Sequence, residues 1–537
     1  MATRYTLDEL KNMSSDAKDV LIISLQDSID ALNENIEKLI EQVRIANQYR
    51  FGRHTETLKA IDGQLSMFDE AEEVFDETAP EPDIEDTVPE IKKRSKTKGK
   101  RDADLKDFPE EDFPHDVSTE TLDAFYGAGN WKSMPDETYK RLRYQPATWL
   151  VEKHIVKVYV GTDGDHQDEF MRGDRPKDIL RNSILTPSLA AAILNGKYVN
   201  ALPYDRMEKE FERNGVNITK QNMANWTINI ANRYFAPLCE RMRQHLLAYH
   251  VTQSDETPCQ VIHDGGHPGS KSYMWVHRSG ELYRDRPIVL YEYQKGRDHH
   301  IPMEYYKDFK GVLVTDGLSQ YHLIEKQLSG LINANCWVHA RRDFADAVKA
   351  SKDPELAKQS IAYQALVRMG AIFDLDGSLK DLSSEERLKE RQSSVAPLVD
   401  EFFAWVKQQL SSMLPKGKTA DGLNYCINQE KYLRVFLTDG DVPMDNSAAE
   451  RSIRPFCIGK KNWMFFDSIR GAKASATVYS VSETAKLNNL RPYKYFEYLL
   501  TELPKLCDRN GNIDSSKLDA YMPWSSDLPD ECRKPRT

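Results

Sequence analysis

The feature that most constrains the fold is a series of five strand-like segments between residues 250 and 337. The first ends in Asp255 and the fourth, which reads GVLVTDG, contains Asp316. The five segments cover residues 250–255, 272–277, 288–293, 311–317 and 331–337. Short apolar runs rich in β-branched residues are typical of buried strands. Three adjacent strands followed by strand–helix alternation predict a mixed α/β domain, with aspartate at the ends of its first and fourth strands.

These two aspartates indicate a chemistry as well as a fold. A sheet with aspartate at these two positions is the plan of a ribonuclease-H-like domain. Phosphoryl transfer to water or to a 3′-hydroxyl can use two Mg²⁺ ions about 4 Å apart, and hard cations prefer carboxylate oxygens. Neighbouring strands can direct Asp255 and Asp316 to one place, where a third carboxylate from a later helix would complete the site. We therefore expect two Mg²⁺ or Mn²⁺ ions there.

The third carboxylate is best sought in residues 445–455, DNSAAERSIRP. Asp445 or Asn446 can cap a helix there, which places Glu450 on its second turn. Between residues 450 and 495 there are nine Lys or Arg and three Asp or Glu, as a DNA-binding groove requires. The basic side chains predicted to contact DNA are Arg451, Arg454, Lys460 and Lys461. Glu483 is the alternative third carboxylate, and we prefer Glu450 because it begins the basic stretch.

A further group of candidate residues lies in the segment NCWVHARRDF, residues 335–344. His339, Arg341 and Arg342 are candidate contacts for a phosphate group. The alternative is a histidine at a helix start followed by solvated arginines. Glu256, next to Asp255, is expected to support the metal ligands rather than to bind metal itself.

The region 186–231 has a helical pattern. Pro187 follows a capping Thr186, and Thr219 can cap a later helix. Two helices joined by a turn that contains glycine, NGVN, fit a helix-turn-helix. The side chains expected on the exposed early turns of its last helix, where they would contact DNA, are Lys220, Gln221, Asn222 and Asn225. An ordinary helical hairpin is the alternative.

The N-terminal part combines a heptad pattern with blocks of charge. Apolar residues alternate at three- and four-residue spacing from Ile22 to Val43, which predicts a parallel two-stranded coiled coil and hence a homodimer. Residues 69–90 contain 11 acidic and no basic residues, and residues 92–101 are strongly basic. The net charge of −11 by itself argues against a nucleic-acid partner, but without residues 69–90 the chain is neutral. We read this stretch as a disordered linker.

Cysteine usage and hydropathy exclude several protein classes. The seven cysteines form no CxxC pair, so neither a disulfide framework nor a cysteine zinc site is indicated. No apolar run approaches the roughly 20 residues of a membrane span. Residues 108–178 have mostly strand-like patterning, with a hairpin expected within residues 142–160. A reduced cytoplasm is the simplest location.

Several segments together resemble the insertion sequence 66 family of bacterial DDE transposases. They read SDETPCQV, LVTDGLSQYH, NCWVHARRDF, DNSAAERSIRPFCIGKKNW and YSVSETAKLNNLRPYKYF. LPYDRMEKEFERNGVNITKQNMANW is similar to that family's helix-turn-helix region, and YRFGR after the heptads resembles its start. The resemblance implies a transposase with a ribonuclease-H-like fold, whose acidic triad corresponds to Asp255, Asp316 and Glu450. Many members carry a cysteine zinc module before the helix-turn-helix, but residues 101–178 contain no cysteine, so no zinc is expected.

We therefore predict a multidomain α+β and α/β protein. Its expected segments are a coiled coil at 1–53, a disordered acidic and basic linker at 54–106, a small zinc-free β-rich module at 107–178, a helix-turn-helix region at 179–247, a ribonuclease-H-like core at 248–350 and 441–490, a helical insertion at 351–440 and a C-terminal region at 491–537.

The predicted function is Mg²⁺-dependent DNA strand cleavage and strand transfer at the ends of a mobile element. The expected partners are double-stranded DNA (element ends and target), a second copy of the chain and element-encoded accessory proteins, in the bacterial cytoplasm near the nucleoid. Two alternatives are a nuclease of the same fold without strand transfer and a non-catalytic DNA-binding or regulatory protein descended from a transposase.

Overall fold

The computed structural model describes residues 14, 18, 118–128, 130, 148–160, 170–174, 176–266, 271–351, 353–412, 417–508 and 511–535. The chain divides into two units, one formed by residues 1–72 and 177–534, the other by residues 73–176 and 535–537. The predicted coiled-coil seam at residues 22–43 and the charged linker lie outside the described residues, so both stay predictions.

The smaller unit contains helix α1, Thr119–Tyr126, and a two-stranded antiparallel sheet of β1, Val158–Val160, and β2, Phe170–Arg172. The prediction of mostly strand-like structure therefore missed a helix, and residues 148–157 form no strand. Every residue from 148 to 160 is exposed. Alternating apolar residues specify a strand pair only where one face is buried, and no described face is buried here.

Residues 187–246 form four helices, in the region where a helical pattern was predicted. They are α2, Pro187–Tyr198, α3, Tyr204–Arg213, α4, Lys220–Ile230, and α5, Ala236–Leu246, with a π-helical turn at Ala231–Phe235 between the last two. The Thr186 side chain accepts a hydrogen bond from the backbone of Leu189, and Pro187 occupies the first turn. Thr219 and Asn222 form a reciprocal capping box at the start of α4. These sequence-predicted caps are present.

A five-stranded mixed sheet follows. Its strands are β3, Val251–Cys259, β5, Ser272–Ser279, β6, Val289–Gln294, β7, Gly311–Thr315, and β8, Leu331–Asn335. The spatial order is β6-β5-β3-β7-β8. The β3–β5 and β5–β6 pairs are antiparallel, and the β3–β7 and β7–β8 pairs are parallel. All five strands coincide with the predicted segments, to within a few residues at their ends.

Three helices connect or follow these strands. They are α6, His300–Tyr305, α7, Ser319–Gln327, and α8, Trp337–Ala350. The rear face of the sheet carries Trp275 and Leu313, which pack with Tyr321 of α7. The front face carries Val312 and Val314, which pack with α8 and the helices that follow it. The sheet is therefore covered by helices on both faces.

All of the regular secondary structure described between residues 353 and 437 is helical. The helices are α9, Pro354–Gln359, α10, Ile361–Ser378, α11, Ser384–Glu390, α12, Ala396–Ser412, and α13, Lys418–Leu433, with a π-helical turn at Arg391–Val395 and a 3₁₀ turn at Val435–Leu437. Helices α10, α12 and α13 share one apolar cluster with β3, β7 and α8. These helices therefore belong to the core that supports the sheet.

The chain then returns to the sheet. The elements are α14, Ser447–Trp463, β9, Phe466–Ser468, α15, Ile469–Leu487, and α16, Pro492–Leu506, followed by 3₁₀ turns at Ser515–Lys517, Asp519–Tyr521 and Asp530–Cys532. Strand β9 pairs in parallel with β4, Val261–His263. Helix α14 lies against β3, and α15 lies against β6. No described helix has the length and apolar character needed to cross a membrane.

Candidate active site

The strand register brings Asp255 and Asp316 together. Gln253 of β3 is paired with Val314 of the parallel neighbour β7. Asp255 and Asp316 each lie two residues further along, so they occupy equivalent positions on neighbouring strands. Asp316 directly follows β7, whereas β3 continues past Asp255 to Cys259, so the prediction that the first strand ends at Asp255 was wrong. Side chains two residues apart lie on the same face of a sheet, and adjacent strands are about 4.8 Å apart. The two carboxyl groups therefore share the front face.

Glu450 reaches the same face from α14. Glu450 was predicted to lie on the second turn of this helix, which is wrong. It lies in the first turn, because the helix begins at Ser447. The start of the helix is tied to β3: Asn446 Nδ2 donates to the Ser254 carbonyl (2.9 Å), and Gln253 Nε2 donates to Asn446 Oδ1 (3.2 Å). Asp445 Oδ1 accepts from the Ser447 backbone at 2.8 Å, so Asp445 supplies the side-chain cap.

Four carboxyl groups meet at this edge, and we call Asp255, Glu256, Asp316 and Glu450 the acidic cluster. Burial, followed by the negative charges of the other three members, raises the pKa of Asp255 well above its usual range. Burial also raises the pKa of Asp316. Each buried negative charge makes the next one costlier, so this arrangement favours a binding partner that is positively charged.

Glu256 belongs to the rear face, because it is paired with Trp275 where Asp255 is paired with Val276. Tyr321 donates a hydrogen bond to Glu256 Oε2 at 2.9 Å. Burial and then the charge of Asp316 raise the pKa of Glu256 to about 7, although Tyr321 and Arg297 lower it. Glu256 is thus held by neighbours on the side of the sheet opposite to Asp255.

Arg297 is a cation of the site that the sequence analysis missed. It follows β6 and forms an ion pair with Glu256, with Nη2 3.0 Å from Oε1. Its charge and that of Arg342 act on Asp316, where they oppose the effect of burial on the pKa. The segment KGRD around Arg297 has no pattern that points to a site, so only the folded sheet reveals its position.

His339 and Arg342 lie beside Glu450 on the first turns of α8. His339 Nδ1 is 3.6 Å from Glu450 Oε1, and Arg342 Nη2 is 3.2 Å from His339 Nε2. Burial and then the charge of Arg342 lower the pKa of His339 to about 4, so the ring is neutral at pH 7. Arg341 points elsewhere, with its guanidinium 5.6 Å from the ring centre of Phe373 in α10.

The basic residues predicted on α14 diverge. Lys460 donates to the Pro258 carbonyl at the end of β3, near the acidic cluster. Arg451 forms an ion pair with Glu281. Arg454 is partly buried and Lys461 is exposed. A single helix turns its side chains through about 100° per residue, so a basic stretch in sequence does not become one surface.

The alternative third carboxylate, Glu483, lies in α15 and has a different environment. Its Oε1 is 2.7 Å from Lys486 Nζ. It lines a cavity of about 410 Å³ together with Arg278 and Glu281. Burial raises the pKa of Glu483, while Lys486 lowers it. Glu483 is therefore paired with a cation, whereas Glu450 adds to the charge around Asp255.

The residues predicted for DNA contact on α4 are exposed, as expected. Lys220 Nζ is 3.5 Å from Asp205 Oδ1 of α3. Gln221 donates to Asn225 Oδ1 at 3.2 Å. Asn222 is occupied locally, because its Oδ1 accepts from the Thr219 backbone at 3.1 Å as part of the capping box. Lys220, Gln221 and Asn225 thus form the accessible polar face of this helix.

Comparison of the sequence with known protein families identifies the family to which the chain belongs. Residues 182–474 match the family model described as the IS66 family of transposases, which is more than half of the chain. The chain belongs to the IS66 transposase family. Residues 480–524 match the IS66 C-terminal element, and residues 38–113 match a model described as "Transposase C of IS166 homeodomain". The resemblance noted in the sequence is confirmed.

Curated relatives come from Sinorhizobium fredii. The chain is 26% identical over 385 residues to the uncharacterized protein y4qI, covering 70% of this chain and 68% of that protein. It is 24% identical over 367 residues to the uncharacterized protein y4jD, covering 66% of this chain and 69% of that protein. Residues 182–474 contain the whole acidic cluster, so the family match includes the candidate site.

Proposed function

We propose that this IS66 transposase cleaves and joins DNA strands at the ends of a mobile element, using Asp255, Asp316 and Glu450 as its acidic triad. The observation that carries the proposal is the pairing of Gln253 with Val314. It places two aspartates at equivalent positions on adjacent parallel strands, with Glu450 on the helix that covers the same face.

The order of the sheet supports a ribonuclease-H-like assignment. In chain order the strands are arranged 3-2-1-4-5, and only the second is antiparallel to the rest. Such an arrangement puts the first and fourth strands at the centre, so residues at their carboxyl ends meet in one place. The function is argued from that site, since a fold alone does not specify an activity.

The donor atoms fit divalent magnesium or manganese. The triad offers carboxylate oxygens, which both ions prefer, and the acidic cluster has more negative charge than Arg297 and Arg342 neutralise. Asp255, Asp316 and Glu450 would hold two such ions. Bound ions would activate the attacking oxygen and stabilise the leaving oxygen of the phosphodiester.

The protein's own side chains then have separate tasks. Arg342 would contact the phosphate that approaches the triad, since guanidinium groups bind phosphate oxygens bidentately. Arg297 is ion-paired with Glu256 and would reduce the negative charge felt by Asp316. Lys460 extends this positive surface along the end of β3. Neutral His339 packs beside Glu450 and limits the orientations of its carboxylate.

DNA binding away from the triad is assigned to α4. Its exposed face would place Lys220, Gln221 and Asn225 against DNA, since amide side chains can pair with adenine edges.

The expected partners are the element ends, the target DNA and element-encoded accessory proteins, in the bacterial cytoplasm. Pairing of two ends favours a dimer through residues 22–43. If a chain without residues 1–50 still forms dimers in solution, this assignment of the dimer contact is refuted.

Two alternatives differ from the proposal in defined ways. A nuclease of the same fold would cut DNA but would not join a 3′-hydroxyl to a target, so a strand-transfer assay separates the two. A non-catalytic DNA-binding descendant would do neither. The complete acidic cluster argues against the second alternative, because buried like charges are costly to keep without a use.

The decisive experiment replaces each triad residue by its amide. The substrate is a labelled duplex carrying the inverted repeats that flank the gene, in Mg²⁺ buffer. Asp255→Asn, Asp316→Asn and Glu450→Gln should each lower cleavage and strand transfer by about 10³-fold or more, since metal-assisted catalysis supplies several kcal/mol. DNA binding in a mobility-shift assay should persist.

Glu483→Gln is the matched control, because Glu483 is also a buried glutamate on a helix against the sheet. It should retain cleavage within a few-fold. Undiminished cleavage in any triad variant, or loss in Glu483→Gln equal to that in Glu450→Gln, would overturn the assignment. Circular dichroism shows whether each variant is folded.

A further inference from the structure

A second set of metal-ligand atoms overlaps the acidic cluster at Glu450. The Cys336 thiol, the His339 ring and the Glu450 carboxylate each offer one ligand atom, and these atoms all lie within 4.8 Å of one another. Cys336 precedes α8 and His339 lies three residues later, so both side chains project from the same side of the helix start. Glu450 comes from the first turn of α14.

This set differs chemically from the triad. The triad contains oxygen donors only, which suit Mg²⁺, whereas Cys336, His339 and Glu450 offer sulfur, nitrogen and oxygen. Zinc sites are built from such donors in tetrahedral geometry, and a fourth position can be left to water. The two sets share Glu450, so one carboxylate has two possible uses.

One contact favours the thiolate that metal binding needs, although burial and then the charge of Asp445 raise the pKa of the Cys336 thiol above its usual range. Cys336 is fully buried. The backbone N–H of Asn446 donates to Cys336 Sγ at 3.2 Å. A hydrogen bond to the ligand atom orients it and stabilises its charged form. The same peptide group begins α14, so Cys336 and Glu450 are held by one short stretch of backbone.

His339 is oriented in the same way. Its Nδ1 is buried and makes no hydrogen bond within the described part of the chain. Arg342 contacts the other ring nitrogen. Metal binding at Nδ1 would place the ring proton on Nε2, and Arg342, which is exposed, can turn into solvent.

We propose that Cys336, His339 and Glu450 bind zinc or a similar thiophilic divalent ion, and that this ion inhibits the enzyme by withdrawing Glu450 from the Mg²⁺ site. The inhibitory part rests on the function proposed above. On binding, the Cys336 thiol releases its proton to solvent and the sulfur donates to the metal, with no change of oxidation state. The expectation that no zinc is bound came from the missing CxxC pair and from residues 101–178, which contain no cysteine, and the proposed site would be an exception to it.

The test for the site uses Co²⁺ as a spectroscopic probe on the metal-free full chain. Cysteine coordination produces a near-ultraviolet sulfur-to-cobalt charge-transfer band, which wild type should show at one equivalent. Another group of possible ligands, His250, Asp439 and Asp441, contains no sulfur and would not produce it. Cys336→Ser should abolish the band, and Cys507→Ser, a partly buried cysteine at the end of α16, should keep it.

His339→Asn provides a second variant should Cys336→Ser fail to fold. It keeps the thiolate but removes the nitrogen, so Co²⁺ affinity should fall at least about tenfold, since even outer neighbours of a metal are worth that much. An unchanged band in Cys336→Ser, or unchanged affinity in folded His339→Asn, would overturn the site.

The test for inhibition measures cleavage at fixed Mg²⁺ with increasing Zn²⁺, relative to each variant's own zinc-free rate. Wild type should be inhibited, chelator should reverse this, and Cys336→Ser should need at least about tenfold more Zn²⁺. A missing cobalt band together with an inactive Glu450→Gln overturns this inference and leaves the proposed function standing. A band together with an active Glu450→Gln supports the metal site and overturns both inhibition and the assigned triad.

Discussion

The acidic cluster and the surroundings of Arg391 both bury charge, but they do so in opposite ways. Arg391 is 1% exposed and binds both oxygens of Asp376, at 2.7 and 3.2 Å. It also donates to the carbonyls of Phe436, Asp439 and Val442, at 2.9, 2.9 and 2.8 Å. Each charge of the Arg391 site is therefore satisfied inside the protein.

The acidic cluster instead gathers four carboxyl groups against two nearby arginines, both of them exposed. The negative charges of neighbouring members raise the pKa values of Asp255 and Glu256, whereas the charges at the Arg391 site attract each other. A buried group that is fully paired stabilises one fold, and a buried group of like charges stores a cost that a ligand can remove. The comparison separates a structural use of buried charge from a functional one.

The largest effect is expected at the Arg391 site. Arg391→Met leaves Asp376 buried without its cation and should lower the free energy of unfolding by about 3–5 kcal/mol. Urea denaturation measures this. Arg284→Met, which removes an exposed ion pair to Asp381, is the control and should cost less than about 1 kcal/mol. Equal losses in both variants would erase the distinction drawn for Arg391.

The acidic cluster should make the folded state less stable as the pH rises, because its carboxyl groups lose their protons. The folded pKa of Glu256 is about 7 against an ordinary 4.5, so the folded state holds a proton that the unfolded state has lost. Stability without metal should therefore fall as pH rises from about 4.5 through 7, by about 1–3 kcal/mol for Glu256.

Glu256→Gln should flatten this fall, and Glu355→Gln, at an exposed glutamate, should not. Free energies of unfolding from urea curves at several pH values give the slopes. A wild-type stability that rises across this range would contradict the raised pKa.

The smallest effect concerns metal binding. Mg²⁺ at ten times its dissociation constant should stabilise the wild type by about 1.4 kcal/mol. Arg391→Met should gain the same stability from Mg²⁺, although it starts from a lower free energy of unfolding, because the Arg391 site and the triad are independent. Asp316→Asn should not gain it. Thermal denaturation at matched ionic strength measures it. An equal increment in Asp316→Asn would mean that the ion binds outside the triad.

Local patterns were enough for most elements of the larger unit. The five strands and the caps at Thr186 and Thr219 were predicted, because short-range backbone preferences and burial agree there. The strand-like pattern of residues 148–157 was misleading, since the alternation there has no buried partner face. The predicted position of Glu450 in its helix was wrong by one turn, because helix starts are set by local hydrogen bonds that residue spacing does not specify.

The candidate site divides in the same way. Asp255 and Asp316 could be chosen from the sequence because each follows a short strand-like run, and the family resemblance supported Glu450. Arg297 could not be found, because its role depends on where the loop after β6 crosses the sheet. Nor could the triplet of Cys336, His339 and Glu450, whose third member is far along the chain.

The sequence by itself determined the strands, the helix caps and the family, because these depend on neighbours within a few residues and on motifs that persist along the chain. The tertiary structure decided which carboxylates share a face, which cations oppose them, and that Glu483 is paired with Lys486 while Glu450 joins Asp255. The physical reason is that electrostatic interactions depend on distance and burial in space. Those quantities arise only when β3, β7 and α14 are packed together.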